Sequence, residues 1–300
     1  VTGVLRWRNT LDAVIASRLR QPLELLDLPV RAILWLGAYQ LLFQSSGPGG
    51  VTEYAAVDTS VGIARAGAQT ARAAGLVNAV LRNIARLRPV RVLIPAAASA
   101  ALSRRGFALD FSTRLDGNAD IFPDPTRQLT AHLAAVRSHP AVYVDHLRGL
   151  FGDALAAELL LRNNLRPEVT LRADDPAFHP PGEAALAPHP DAPGFFIARE
   201  GWNGAIAALV HDAVLSPQDP TAAKPVRALA AYLEANHLAV PMRILDLCAG
   251  LGTKTLQLAR AFPTAAITAT DVAPEKLARL ADRARAARQD NIRILPVDAL

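Results

Sequence analysis

Residues 246–255 read Asp-Leu-Cys-Ala-Gly-Leu-Gly-Thr-Lys-Thr. A short apolar run, Ile244 to Leu247, leads into them, and a helical pattern from about Lys254 to Phe262 follows. The segment reads as a strand-to-helix turn, whose backbone N–H groups point into a crevice at the carboxyl end of a sheet. Gly250 and Gly252 would let a ligand approach the backbone closely. Three ligand classes use such a turn. A Walker-type phosphate loop ahead of Lys254-Thr255 needs glycine at 248 and 253, where the chain has Cys248 and Thr253. A dinucleotide fingerprint starting at Gly250 needs glycine at 255, which is Thr255, so a pyrophosphate is disfavoured without being excluded. S-adenosylmethionine carries no phosphate and does not require the third glycine.

Two acidic residues bear on that choice. Ala266 to Thr270 reads as a second strand ending in Asp271, suited to accept from ribose hydroxyls. Ile292 to Pro296 reads as a third, followed by Asp298, suited to accept from an adenine amino group. Each residue also has a plainer reading: Asp271 as the cap of a helix that begins at Pro274, Asp298 as a turn residue, Lys254 as a solvated first-turn cation, Cys248 as a small core side chain. The joint placement makes Cys248, Ala249, Gly250, Leu251, Gly252, Thr253, Lys254, Asp271 and Asp298 the candidate cofactor-binding set, with S-adenosylmethionine as the cofactor.

The elements that must position this set alternate strand and helix from residue 241 to the end, with Pro274 to Arg288 as the second helix. That is the first half of a doubly wound parallel sheet. Upstream, the first ninety residues read as a helical bundle. From Asp27, which can cap, the residues Val30, Ile33, Leu34, Gly37 and Leu41 fall on one face, and Ser45 to Gly50 ends that helix. Further helices are predicted over Tyr54 to Ala66 and Leu76 to Leu87. Residues 90–137 read as a linker with at most short helices, the Ala-rich run and the Asp116 to Pro125 stretch being loop-like. A helical pair over Val142 to Asn164, strands at Glu168 to Ala173 and Phe195 to Arg199, and a Pro/His-rich loop over Ala177 to Gly194 make a small α+β unit of residues 138–215.

Composition narrows the partners. With 51% apolar residues in 300, the chain can bury sizeable cores. The net charge is +5, and Thr59 to Leu109 holds eight arginines and no acidic residue. Such a field attracts a polyanion such as RNA, although a chain with only three lysines is also simply arginine-rich. The single cysteine, Cys248, excludes a disulfide framework, and seven histidines without metal-ligand spacing give no metal site. No apolar run reaches the ~20 residues of a membrane helix and no signal peptide is evident, so the expected compartment is the cytoplasm with no membrane partner. The chain starts at Val1 in helical pattern and stops at Leu300 just after a strand, as a piece of a longer protein would.

The 246–255 segment resembles the D-L-C-A-A-P-G-G-K-T motif of the Sun/RsmB-type 16S rRNA cytosine-C5 methyltransferases. Asp271-Val-Ala-Pro-Glu-Lys-Leu and Val297-Asp298-Ala299 resemble that family's second and third motifs, and Gln218-Asp219-Pro-Thr-Ala resembles its Q-D-x-x-A element. His139-Pro140, Asn163-Asn164-Leu-Arg-Pro167 and Thr170-Leu-Arg172 are similar to its middle region. Gly3 to Asn9, Leu36 to Leu42 and Gly75 to Arg82 are similar to the NusB-like RNA-binding domain that these enzymes carry. The matches run in the family's order over nearly the whole chain.

The resemblance implies an α/β multidomain protein. Residues 1–89 would be an all-α NusB-like RNA-binding bundle lacking its front, 90–137 a connection, 138–215 a small α+β domain, and 216–300 the first half of a Rossmann-like methyltransferase domain that binds S-adenosylmethionine. It implies 16S rRNA as partner, with the arginines of 82–105 on its phosphates. It also implies methyl transfer through a cysteine adduct at C6 of the cytosine. The family's catalytic cysteines fall in motifs beyond Leu300, and Cys248 matches the cofactor-loop cysteine instead, so residues 1–300 alone are expected to be inactive. Leu251 replaces the family's Pro, Thr253 a Gly, and Lys276 an expected Arg. An RNA-binding module of NusB type with a non-catalytic nucleotide-binding domain is the alternative. A nucleotide-dependent oxidoreductase ranks last for want of the third glycine.

Overall fold

The structure, a computed structural model, describes residues 1–45, 50–95, 101–173, 175, 177–199, 201–240 and 243–299. The chain divides into two compact units, Val1–Arg166 and Pro167–Leu300. Among the described residues no helix is long and apolar enough to cross a membrane.

The first unit opens with five helices: α1 (Thr2–Arg6), α2 (Arg8–Ala16), α3 (Leu28–Tyr39), α4 (Glu53–Ala66) and α5 (Ala74–Ala85). The apolar spacing that predicts α3 is the face it buries. Val30, Ile33, Leu34, Gly37 and Leu41 all sit in the core, the last on a π-helical turn, Gln40–Gln44, that extends the helix. Asp27 holds the N-cap position of α3 without the expected side-chain cap. The real side-chain cap is on α4, where Thr52 accepts from the Ala55 amide at 3.1 Å. The expected break at Ser45 to Gly50 falls mostly on 46–49, outside the described residues, as does part of the Ala-rich run at 96–100.

Residues 90–116 depart from the linker reading. They form an antiparallel sheet of β1 (Val90–Leu93), β2 (Gly106–Ala108) and β3 (Thr113–Asp116) in the order β1-β3-β2. Each strand is three or four residues long and two carry an arginine, so each is too short to show a sustained period of two. Phe107 and Leu115 from this sheet join Leu11, Val14, Leu81 and Ile84 in one core. The helices α6 (Leu129–Val136) and α7 (Ala141–Asn164) close the unit. Gly152, at φ +75°, interrupts α7, which matches the helical pair read over 142–164. The buried Thr10 hydroxyl donates to the Ala135 carbonyl at 2.6 Å and ties α2 to α6.

The second unit holds two sheets. β4 (Thr170–Ala173), β5 (Leu186–Pro188), β6 (Phe195–Ala198) and β7 (Leu215–Pro217) form an antiparallel sheet in the order β5-β6-β4-β7, covered by α8 (Gly204–His211). The strand β5 lies inside the stretch read as loop. Next come α9 (Pro220–Ala235), β8 (Arg243–Asp246), α10 (Thr253–Ala261), β9 (Ala266–Ala269), α11 (Pro274–Ala286) and β10 (Ile292–Ile294). The last three strands are parallel, ordered β10-β9-β8, and joined through α10 and α11. This is the strand–helix alternation expected from the sequence, and a helical amino-terminal region followed by α/β elements is the predicted fold class.

Candidate functional site

The turn between β8 and α10 is fixed from below by the sheet. The Thr270 amide donates to the Asp246 carbonyl at 3.0 Å, and the Ala249 amide donates to the Thr270 carbonyl at 2.9 Å. The Asp246 carboxylate points along the helix and accepts the buried Thr255 hydroxyl at 2.7 Å. Asp246 thus locks the first turn of α10 to the strand end and is a scaffold residue.

The two glycines of the turn both adopt the left-handed conformation, Gly250 at φ +55° and Gly252 at φ +79°, but they face different surroundings. A Cβ on Gly252 would stand 1.9 Å from Cδ1 of Leu280, a core residue of α11. Gly252 therefore lets α11 pack against the turn, the space a Cβ would take being filled by Leu280. A Cβ on Gly250 would meet no atom within 4 Å. Gly250 is the position with free space beside the backbone.

Asp271 bonds to the same glycine. Its Oδ2 accepts from the Gly250 amide at 2.8 Å and its Oδ1 from the Ala273 amide at 3.0 Å. These amides hold its carboxyl below the ordinary aspartate range, the Ala273 bond contributing most and the Gly250 bond next. The capping alternative is met only in part. Asp271 closes a turn onto Ala273, but α11 takes its N-cap from Ala273 with no side-chain cap. Asp298 lies exposed on a 3-10 turn, Val297–Ala299, past β10, and makes no side-chain hydrogen bond or ion pair among the described residues.

The remaining candidates line the turn. Cys248 is exposed, which corrects the reading of it as a core side chain. Ala249 is buried, Leu251 is exposed, and Lys254 is exposed on the first turn of α10. From α11, Arg283 donates to the Leu251 carbonyl at 2.5 Å and to the Thr253 hydroxyl at 3.4 Å. Burial draws the Arg283 guanidinium below its usual range, aided by the charge of Arg172. Among the described residues no three His, Cys, Asp or Glu side chains gather to hold a metal.

One arrangement has no signal in sequence periodicity. Arg172 on β4 is buried and donates to Gln218 Oε1. Gln218 Nε2 donates to Gln257 Oε1 at 2.9 Å, and Gln257 Nε2 donates to the Ala223 carbonyl at 3.1 Å. This chain runs from the antiparallel sheet through the start of α9 to α10, the helix that carries the turn. Desolvation pushes Arg172 down to about 10. Gln218 and Arg172 stand out only through the family resemblance, and Gln257 not at all.

The comparisons with known proteins fit this architecture. Residues 1–86 match the NusB family, so the amino-terminal helices are a NusB domain. Over 306 aligned residues the chain is 30% identical to a Mycobacterium tuberculosis H37Rv protein named "Putative methyltransferase Rv1407", covering 99% of this chain and 57% of that protein. Over 84 residues it is 37% identical to the ribosomal RNA small subunit methyltransferase B of Pseudomonas syringae pv. tomato, covering 28% of this chain and 17% of that one. The crystal structure of PH0851 superposes with a TM-score of 0.62 at 15% identity, over 97% of this chain and 58% of that one, a likeness of fold. The chain thus spans little more than half the length of the mycobacterial relative. Together the NusB match and the methyltransferase relatives support a Sun/RsmB-type methyltransferase with a NusB domain at its amino terminus.

Proposed function

We propose that the chain supplies the NusB and cofactor-binding parts of an S-adenosylmethionine-dependent enzyme that methylates C5 of a cytosine in 16S rRNA. One observation carries the cofactor reading: the Asp271 carboxylate meets the Gly250 amide at 2.8 Å beside the open space over that glycine.

The residues fit S-adenosylmethionine. Each oxygen of Asp271 accepts one amide and retains a further lone pair, so the carboxylate can still accept from vicinal ribose hydroxyls. Gly250 leaves the ligand room along the turn. The exposed carboxylate of Asp298 suits the adenine amino group, and exposed Leu247 and Leu251 offer apolar surface beside it. Cys248, Ala249, Thr253 and Lys254 complete the wall, while Gly252 serves it only by admitting α11. Bound there, the cofactor supplies an electrophilic methyl group. The protein orients it, holding the turn through Asp246–Thr255 and Arg283–Leu251.

The family resemblance implies that a cysteine thiolate adds to C6 of the target cytosine, which makes C5 nucleophilic toward the methyl group. Cys248 lies in the cofactor turn, so the nucleophile is expected from motifs outside residues 1–300. Titration calorimetry with S-adenosylmethionine tests the reading. Saturable one-site binding, weakened about tenfold or more by Asp271→Ala and Asp298→Ala, is expected. Absence of binding, or affinity indifferent to both substitutions, would sink it.

A further inference from the structure

Seven of the eight arginines between Thr59 and Leu109 fall into two groups. Arg104 and Arg105 both pair with Asp120, at 3.2 and 2.9 Å, and Arg91 donates to the Phe43 carbonyl at 2.8 Å. Arg65, Arg82, Arg86 and Arg88 instead line a cleft of about 500 Å³ beside α4 and α5. The printed partners of two of these are neutral amides. Arg82 Nε donates to Asn78 Oδ1 at 2.9 Å, and Arg86 Nη1 to Asn83 Oδ1 at 3.1 Å. An asparagine three or four residues back on the same helix orients a guanidinium without cancelling its charge. On the α5 side of the cleft Arg82 and Arg86 are therefore positioned cations with no ion pair among the described residues.

The α4 side contributes Arg65 and, besides it, groups of another kind. Tyr54 is 75% exposed and has no ring partner among the described residues. Glu53 and Asp58 stand on the same wall. Four arginines against two carboxylates leave the lining at +2. A rigid duplex backbone would bring phosphates against those carboxylates. A single strand can separate its parts, with phosphates along the arginines, a base face on Tyr54 and an exocyclic amino group on a carboxylate.

We propose that the α4–α5 cleft binds single-stranded RNA, taking a base with an exocyclic amino group on its α4 wall. The proposal rests on the reading of the chain as part of an RNA-directed enzyme and names where the strand docks.

The test uses the whole 300-residue chain and fluorescein-labelled ten-nucleotide oligocytidylate, oligouridylate and a blunt RNA duplex, followed by anisotropy across a salt series. Oligocytidylate should bind more tightly than oligouridylate, which lacks the amino group, and more tightly than the duplex. Arg82→Ala with Arg86→Ala should weaken binding at least tenfold and flatten the salt slope by about 1.4, at ~0.7 per lost single-strand phosphate contact. The same charge loss at Arg104 and Arg105 should have less than a third of that effect. Tyr54→Ala should weaken binding about tenfold and Tyr54→Phe should restore it, since stacking needs the ring and not the hydroxyl. Glu53→Ala with Asp58→Ala should erase the preference for cytidine.

Circular dichroism melts on each variant check that it is folded. All the substituted side chains are exposed or on the cleft wall. No binding of any single strand at 50 mM salt, duplex preference, or equal losses from the two arginine pairs would overturn the proposal. RNA affinity unchanged in the Arg82/Arg86 variant would do so too, leaving the cleft to an acidic protein segment. Cofactor affinity measured on the same variants separates the two readings. Failure of the cleft with intact cofactor binding leaves the methyltransferase reading standing, and the reverse result leaves the cleft standing.

Discussion

Gly252 and Leu280 occupy one another's space: a methyl group at position 252 would stand 1.9 Å from Leu280 Cδ1. Overpacking of this kind costs about 1–3 kcal/mol, and the left-handed backbone at φ +79° adds about 1–2 kcal/mol for any residue with a Cβ. Gly252→Ala should therefore lower the midpoint of thermal unfolding markedly. Leu280→Ala in the same chain should relieve the overpacking part, so that the double variant is less unstable than the two single losses added together. Strict additivity in that cycle would refute the packing role.

Gly250 makes the opposite prediction. Space is open there, so Gly250→Ala carries only the left-handed backbone cost of about 1–2 kcal/mol. If the open space receives the cofactor, the same methyl group should reduce S-adenosylmethionine affinity by far more than stability alone explains. Calorimetry at a temperature where both proteins are folded measures this. Equal affinities would place the ligand elsewhere.

The Asp271 carboxyl is held low by the Ala273 and Gly250 amides, which fixes the sign of its pH dependence. A depressed folded pKa means that the contribution of the carboxylate is complete above the unfolded value, near ~4, and fades only as pH falls through the folded value below it. Cofactor affinity should accordingly be flat from neutral pH down through the ordinary aspartate range and drop only in stronger acid. Asp271→Asn should bind weakly at every pH and lose that acid limb. A midpoint at or above the ordinary aspartate value would contradict the two-amide geometry.

What could be read in advance follows the range of the interactions. Helices α3, α4 and α5 repeat their apolar residues within one or two turns, and the β8–α10 turn carries its glycines within three residues. The sheet β1-β3-β2 instead joins Val90 to Asp116 and Gly106 to Asp116, pairings that no local pattern encodes. The same holds inside the candidate site. Asp271 is legible because it directly follows a strand-like run. That Gly252 answers to Leu280, 28 positions later, and that Gln257 answers to Gln218, 39 positions earlier, depends on how helices meet after folding.

That Gln218–Gln257 contact yields the last prediction. Gln257 is buried, and its amide satisfies Gln218 on one side and the Ala223 carbonyl on the other. Leucine at 257 fills a similar volume but leaves Gln218 Nε2 and the Ala223 carbonyl without that partner in a buried place. The orphaned Gln218 amide costs about 1–3 kcal/mol. Urea unfolding of Gln257→Leu should show a lowered midpoint with an unchanged slope, as expected for lost stability with the same surface exposed. Because Gln257 lies on α10, two residues beyond the Thr255 that holds Asp246, the loss should also loosen the turn and weaken S-adenosylmethionine binding at temperatures well below unfolding. Gln257→Glu retains the acceptor for Gln218 but cannot donate to Ala223, and it buries a charge, so it should be no better than leucine. A Gln257→Leu chain as stable as the parent would show that the polar chain from Arg172 is not what fastens α10 to the start of α9.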